Sequence, residues 1–398
     1  MVIILTCLLE YSSIHFRIMK TDKLRLFLKS TPRIIDKIFV GMFFVLLFIP
    51  MSNISNKDIS RTENRVLAKY PHFFIKSHFN DNFTSEFDSW FNDRFNGRKK
   101  LIRFNTKFKN LFDDGSPNEK VFYGHDGWLF YKDDNSLDNF QNKTFFSDEE
   151  LKIISKYLSD IDKWARKRGK SFYYLIAPDK NKIYGEHIRS LRKIHPDTES
   201  RTQKLIKYLK ENTTVKVVYP YQQLLDNKGN GLLYYKQDTH WNDFGSYIAY
   251  KELMNVIKKD YIDVEIINPV EYEKVLHETG DLSQMIDFSI SKDQSVYLRP
   301  KIVDEAVCEY FDKEKDPKKG ITCKNTSKPL KMIVFRDSFS NALTRYFSNT
   351  FSFVKYKWRY TLNENDLEYI NKNNVDIIIL ETVERFIPSL ISLKFPEN

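Results

Sequence analysis

Leu151, Ile154, Leu158, Ile161 and Ala165 recur at intervals of three and four, so the stretch after Ser147 predicts a helix with one apolar face. Ser147 and Glu150 make a capping box at its start, and Gly169 ends it. "SFYYLIAP" follows, apolar on both faces, as in a strand buried on both sides. The alternation continues: "TQKLIKYLKEN" predicts helix, "VKVVYPY" strand, "GSYIAYKELMNVIKKD" helix, and "LKMIVF" and "VDIIIL" further strands. Helices alternating with strands of this kind predict an α/β fold, a parallel sheet covered on both faces. Upstream, apolar residues from Phe83 to Leu111 recur at mostly helical spacing, and Asp126-Gly127 between aromatic runs reads as a hairpin turn.

Each buried strand runs straight into polar residues. "YYLIA" leads to Asp179, Lys180 and Asn181, "MIVF" to Arg336, Asp337 and Ser338, and "DIIIL" to Glu381, Glu384 and Arg385. Sites in open parallel sheets form beyond the carboxyl ends of the strands, so Asp179, Ser338 and Glu381 are expected at one edge.

The N-terminus changes the picture. From Ile38 to Met51 the chain carries no charge, and Lys20, Lys23, Arg25, Lys29, Arg33 and Lys37 precede that run. Basic residues ahead of an apolar segment put the N-terminus in the cytoplasm and the rest outside. With no small-residue cleavage site in view, the segment reads as an uncleaved anchor. The expected organisation is a basic cytoplasmic stretch 1–33, its start possible at Met19, then an anchor 34–54. An exported segment 55–145 with helices and a hairpin follows, then a catalytic domain 146–398. In an exported chain, Cys308 and Cys323, which bracket a polar loop, are placed to form a local disulfide; the alternative is two unrelated thiols. The 398 residues have a net charge of +10, but Lys and Arg are scattered among Asp and Glu, so no nucleic-acid partner is expected. Aromatics at 15% argue against disorder.

Two stretches carry candidate chemistry. In "MIVFRDSFSNALTRYF" a serine stands in a strand-to-helix turn, where a nucleophile is held exposed and its own N–H can join an oxyanion hole. Ser338 is therefore a candidate nucleophile, or it caps the helix, as Asp337 or Ser340 also could. In "YYKQDTHWNDFGSYIAY", Asp238 lies two residues before His240 and projects to the same side of an extended segment. That pair could supply an oriented base, or be a helix start capped by Asp238 or Asn242. A hydrolytic zinc site is not expected: there is no HExxH, no His pair at ligand spacing and no Cys cluster.

"TENR", "YGHDGWLFY", "APDKNKIY", "DTHWNDFGSYIAY", "RDSFS" and "DIIILETVER" occur in the order found in the alginate O-acetyltransferase family, and the chain resembles that family from about Glu63 to about Arg385. The resemblance implies an SGNH-hydrolase-like three-layer sandwich with a central parallel sheet and a Ser-His-Asp triad of Asp238, His240 and Ser338. It implies an O-acetyltransferase of exported polysaccharides, without cofactor or metal, served by a membrane-bound O-acyltransferase that supplies acetyl. The setting implied is the inner membrane, with the catalytic domain in the periplasm or cell exterior. An acetylesterase would use the same triad, and a non-catalytic glycan-binding or assembly protein could keep the fold. Candidates for substrate or oxyanion contacts are Lys180, Asn181, Trp241, Asn242, Arg336 and Arg385. Arg336 stands where the family commonly has Gly. Trp128, Trp241 and Trp358 could stack on sugars or pack in the core.

Overall fold

The computed structural model describes residues 37, 39–44, 54, 59–60, 65–75, 78–95, 120–188, 199–277, 279–286, 293–311 and 316–396. The chain divides into two compact units, Met1–Asn105 and Thr106–Asn398.

In the first unit the helix Phe83–Arg94 stacks Phe83, Phe87, Phe91 and Phe95 along one side. Tyr70 meets Trp90 edge-on at 4.8 Å. The expected anchor 34–54 lies mostly outside the described residues. No helix among the described residues is long and apolar enough to cross a membrane.

The second unit is built on a seven-stranded sheet. Its strands are β1 (Ser171–Ala177), β2 (Lys216–Val218), β3 (Val307–Tyr310), β4 (Ile321–Lys324), β5 (Lys331–Phe335), β6 (Phe353–Lys357) and β7 (Ile377–Val383). They lie in the order β3-β4-β6-β5-β7-β1-β2. From β6 to β2 every pairing is parallel. The antiparallel β4 and β3 extend the β6 side, and there Cys308 faces Cys323 and is joined to it by a disulfide.

Alternation along the strands makes the layers. Phe172, Tyr174, Ile176, Ile333, Phe335, Ile378 and Leu380 face one way, where they meet α1 (Asp148–Arg166), α2 (Arg201–Asn212) and α5 (Glu364–Lys372). Tyr173, Leu175, Met332, Val334, Ile377 and Ile379 face the other way, toward α3 (Asp243–Ile257) and α4 (Thr344–Thr350). The α1 capping box forms as the pattern requires: Ser147 Oγ accepts from Glu150 N at 3.2 Å, and Ser147 N donates to Glu150 Oε2 at 2.8 Å.

Two expectations change. The hairpin Val121–Tyr123/Leu129–Tyr131 turns at Asp126 and Gly127, both at positive φ, as an Asp-Gly turn demands. However, Phe122, Trp128 and Phe130 are buried in the same core as Tyr173 and Tyr184, so the hairpin belongs with the sheet, and a boundary at 145/146 cuts through that packing. Second, β7 runs on through Glu381 and Thr382 to Val383, because the neighbouring β1 pairs with it that far. Glu381 is thus a fully buried strand residue rather than part of a following loop.

Candidate active site

The parallel register sends β5, β7 and β1 toward one edge, with Phe335 beside Leu380 and Val383 beside Ala177. Beyond β5 the chain makes a single 3-10 turn, Ser338–Asn341. Asp337 Oδ1 caps it by accepting from Phe339 N at 2.9 Å, so the cap is Asp337 and the Ser338 hydroxyl is left for another partner. That partner is His240, whose Nε2 lies 2.7 Å from Ser338 Oγ.

His240 sits just ahead of α3. Its Nδ1 is 2.6 Å from Asp238 Oδ1, which also accepts His240 N at 2.9 Å. Ser338, His240 and Asp238 thus form one hydrogen-bonded chain, half-buried at the sheet edge. Burial pushes the imidazole pKa down, but the Asp238 bond and the charges of Asp238 and Asp281 outweigh it and hold the ring above the ordinary histidine value. For Asp238, burial opposes the charge, yet the bond from His240 and the nearby His277 ring, 3.8 Å away, keep its carboxyl well below the usual range. Asp238 Oδ1, His240 Nδ1 and Asp281 Oδ2 cluster closely enough to invite a metal reading. The 2.6 Å between Nδ1 and Oδ1 is a hydrogen bond; two donors on one tetrahedral zinc stand about 3.4 Å apart at bonds of ~2.1 Å.

Buried groups hold the two loops in place. Trp241 Nε1 donates to Phe339 O at 2.8 Å, pinning the histidine loop to the serine turn. Lys180 Nζ donates to the carbonyls of Tyr235, Lys236 and Asp238 at 3.2, 3.1 and 2.5 Å. Burial brings its pKa down to about 7, against the pull of Asp281, Asp238 and Asp293. On the serine side Asp337 Oδ2 accepts from Val383 N at 2.7 Å and Tyr360 OH at 2.8 Å, and Asp337 N donates to Glu381 Oε2 at 3.1 Å. Burial, reinforced by the Asp337 charge, pushes the Glu381 carboxyl well above its usual range.

The residues expected to contact substrate or an oxyanion mostly face inward. Asn181 Nδ2 donates to Tyr131 O and Ser136 Oγ. Asn242 Oδ1 accepts from Phe244 N and Gly245 N, so its amide is committed as the cap of α3. Trp241 and Trp128 are core residues. Arg336 is fully buried: its Nη1 donates to Asp337 O and Asn341 Oδ1, and its guanidinium lies 4.6 Å from the half-buried Trp358 ring. Arg385 pairs with Asp179 at 2.5 Å and lies against Phe339 and Tyr131. These side chains shape the site from behind: the bonds of Asn181, Asn242, Trp241, Arg336 and Arg385 named above run to backbone or to neighbouring side chains.

Two groups at the site were not singled out from the sequence. Asp281 Oδ1 accepts from Thr239 N at 2.7 Å, and Gly280 lies against the Gln237 carbonyl. A Gly-Asp pair outside the strand ends carries no signal that the sheet-edge rule would find.

An SGNH hydrolase-like domain family, acetyltransferase AlgX, matches residues 121–347, more than half of the 398. The chain belongs to that family. The AlgX-family match spans the hairpin, both loops of the hydrogen-bonded chain and most of α4. Among solved structures, Bacillus cereus PatB1 with a sulfonyl adduct is 16% identical with TM-score 0.51, covering 68% of this chain and 97% of that one. A DHHW family protein from Eubacterium siraeum is 14% identical with TM-score 0.50, covering 69% and 100%. The O-acetyltransferase domain of Pseudomonas putida AlgJ is 15% identical with TM-score 0.44, covering 68% and 92%. At these identities the PatB1 and DHHW likenesses are of fold. No curated protein matches the chain by sequence.

Proposed function

We propose that this AlgX-family protein is an O-acetyltransferase that works through an acetyl-serine on Ser338. The observation that carries the reading is the unbroken run from Ser338 Oγ through His240 to Asp238, in a chain whose family is described as an acetyltransferase. A serine hydroxyl is a weak nucleophile at neutral pH and needs its proton removed as it attacks. Ser338 Oγ bonds to the acetyl carbon of the donor while its proton passes to His240 Nε2, and the imidazolium then protonates the leaving group. Asp238, accepting the Nδ1 proton, keeps Nε2 free to act as base. With Phe339 N–H committed to Asp337, the N–H of Ser338 itself is the donor this turn offers to the developing oxyanion. In the second half a sugar hydroxyl attacks the acetyl-serine, gives its proton to His240, and the proton returns to Ser338 Oγ.

The acceptor in this reading is an exported polysaccharide, and the donor is a membrane-bound O-acyltransferase partner. The domain lies outside the cytoplasm behind an anchor at 34–54. The Cys308–Cys323 disulfide supports that compartment, since such bonds persist where the surroundings oxidise. Of the three tryptophans named for sugar stacking, Trp358 is the one outside the buried core, and Arg336 and Lys318 lie over its ring.

The test is incubation with p-nitrophenyl acetate, followed by intact-mass measurement and peptide mapping, then addition of candidate glycans. Acetyl on Ser338 that moves to a glycan is expected. Release of free acetate alone with every glycan would make the protein an esterase, and wild-type glycan acetylation by Ser338→Ala would remove the serine from the reaction. A sulfonyl fluoride gives an independent label, as PatB1 has been seen with a sulfonyl adduct.

A further inference from the structure

The short segment Thr279–Ile286 comes back to the histidine loop and grips it at several points. Asp281 N donates to Asp238 Oδ2 at 2.9 Å. The Asp281 carboxylate takes Thr239 N on Oδ1 at 2.7 Å and Thr239 Oγ1 on Oδ2 at 2.5 Å. Ser283 N donates to Gln237 O at 3.2 Å. Gly280 lets the two backbones approach: a Cβ there would lie 2.2 Å from Gln237 O and 2.6 Å from Asp238 Cβ. Oδ2 of Asp281 stands 3.6 Å from His240 Nδ1, outside hydrogen-bond range but inside the range of charge.

We propose that Asp281 is a positioning residue for His240: with Gly280 it clamps Asp238 and Thr239, fixing the carboxylate that orients the imidazole, and it adds a second negative charge behind the ring. This rests on the reading of His240 as the base. Both oxygens of Asp238 are then assigned, Oδ1 to the ring and Oδ2 to the clamp, so the carboxylate cannot rotate away from Nδ1. The other charged or titratable groups around the imidazole are Arg385, Lys180 on the Asp238 carbonyl, and His277, whose Nε2 is 3.8 Å from Asp238 Oδ2. Arg385 opposes the imidazolium, and Asp281 offsets it.

Asp281→Asn separates charge from shape, because the amide oxygen can still receive Thr239 N. The measurement is kcat/KM for p-nitrophenyl acetate against pH, with thermal melting as a check on folding. Loss of the charge lowers the pKa of His240, so the acid limb of the profile moves to lower pH in Asp281→Asn. The plateau falls by about threefold to tenfold as the clamp loosens. Asp281→Glu, with its charge restored, brings the limb back toward the wild-type position. Gly280→Ala pushes Asp238 aside and costs about a hundredfold in rate while Asp281 is intact. A limb unmoved in Asp281→Asn, or a rate within twofold of wild type in Gly280→Ala, overturns the clamp. His240→Ala is run in parallel: if it retains wild-type rate, the underlying reading of the base fails, whereas an inactive His240→Ala with an unmoved limb in Asp281→Asn fails the clamp alone.

Discussion

Ser338 and His240 each have a buried or half-buried aspartate beside them, and the two aspartates are used differently. Asp238 spends one oxygen on an imidazole and the other on the N–H of Asp281. Asp337 spends both on groups that hold backbone in place: Phe339 N, Val383 N and Tyr360 OH. The histidine loop is half-exposed, and its carboxylate faces a group that changes charge during the proposed reaction. The serine turn is locked from below, and the bonds its carboxylate accepts come from two backbone N–H groups and a tyrosine hydroxyl. The comparison teaches that the residue type does not fix the role; its acceptors' partners do. One aspartate governs a proton, the other governs where a backbone bends.

The comparison can be broken at several points. Ser338→Ala has the largest expected effect, loss of the acetyl adduct and a fall in turnover of about 10³-fold or more at an unchanged melting temperature, read by intact mass and steady-state rates. Next, Asp238→Asn is expected to lower the rate by about 10³–10⁴-fold, because an amide presents the wrong partner to Nδ1, with a melting loss smaller than that of the more deeply buried Asp337→Asn. Asp337→Asn is expected to do the reverse. It turns an N–H toward donors and destabilises by about 1–3 kcal/mol, with a smaller loss of rate in the protein that remains folded. Equal melting losses in the two variants would erase the distinction between the loops. A gentler probe is pH: the rate on p-nitrophenyl acetate rises as His240 loses its proton, and the limb lies above the ordinary imidazole value because the neighbouring carboxylates stabilise the charged ring. A limb below that value would mean that Arg385 and burial dominate. Smallest in rate is Cys308→Ser with Cys323→Ser. It is expected to cost about 3 kcal/mol of stability for a loop of this length and to leave the rate within twofold, because β3 and β4 lie beyond β6 at the sheet margin.

Much of the arrangement was legible in the sequence because it is periodic or terminal. The helix of Leu151 to Ala165, the two-sided strands and the Asp126-Gly127 turn follow from spacing, and strand polarity brought Asp179 and Ser338 to one edge, with Glu381 inside β7 just short of it. Parts of the site itself were harder to read. Asn242 and Asp337 are both capping types, and only the fold decides that each caps while Ser338 does not. Arg336 was a candidate for substrate or oxyanion contact, yet it is fully buried, with its guanidinium against Trp358 and bonded to Asn341. Asp281 was invisible because its contacts with Asp238 and Thr239 span some forty positions, and no local pattern encodes such an approach. The strand β6 was missed as well: "FVKYK" interleaves two lysines among its apolar residues, one of them held by Asp366 and the other over the Tyr369 ring.

The bond from Trp241 Nε1 to Phe339 O has a consequence for timing. The indole belongs to the histidine side and the carbonyl to the serine side, so the fluctuation that parts them also parts His240 from Ser338. In the proposed reaction, solvent exchange of that indole proton would count the openings during which His240 is out of reach of Ser338, and a single resonance in the buried core would serve as a clock for them.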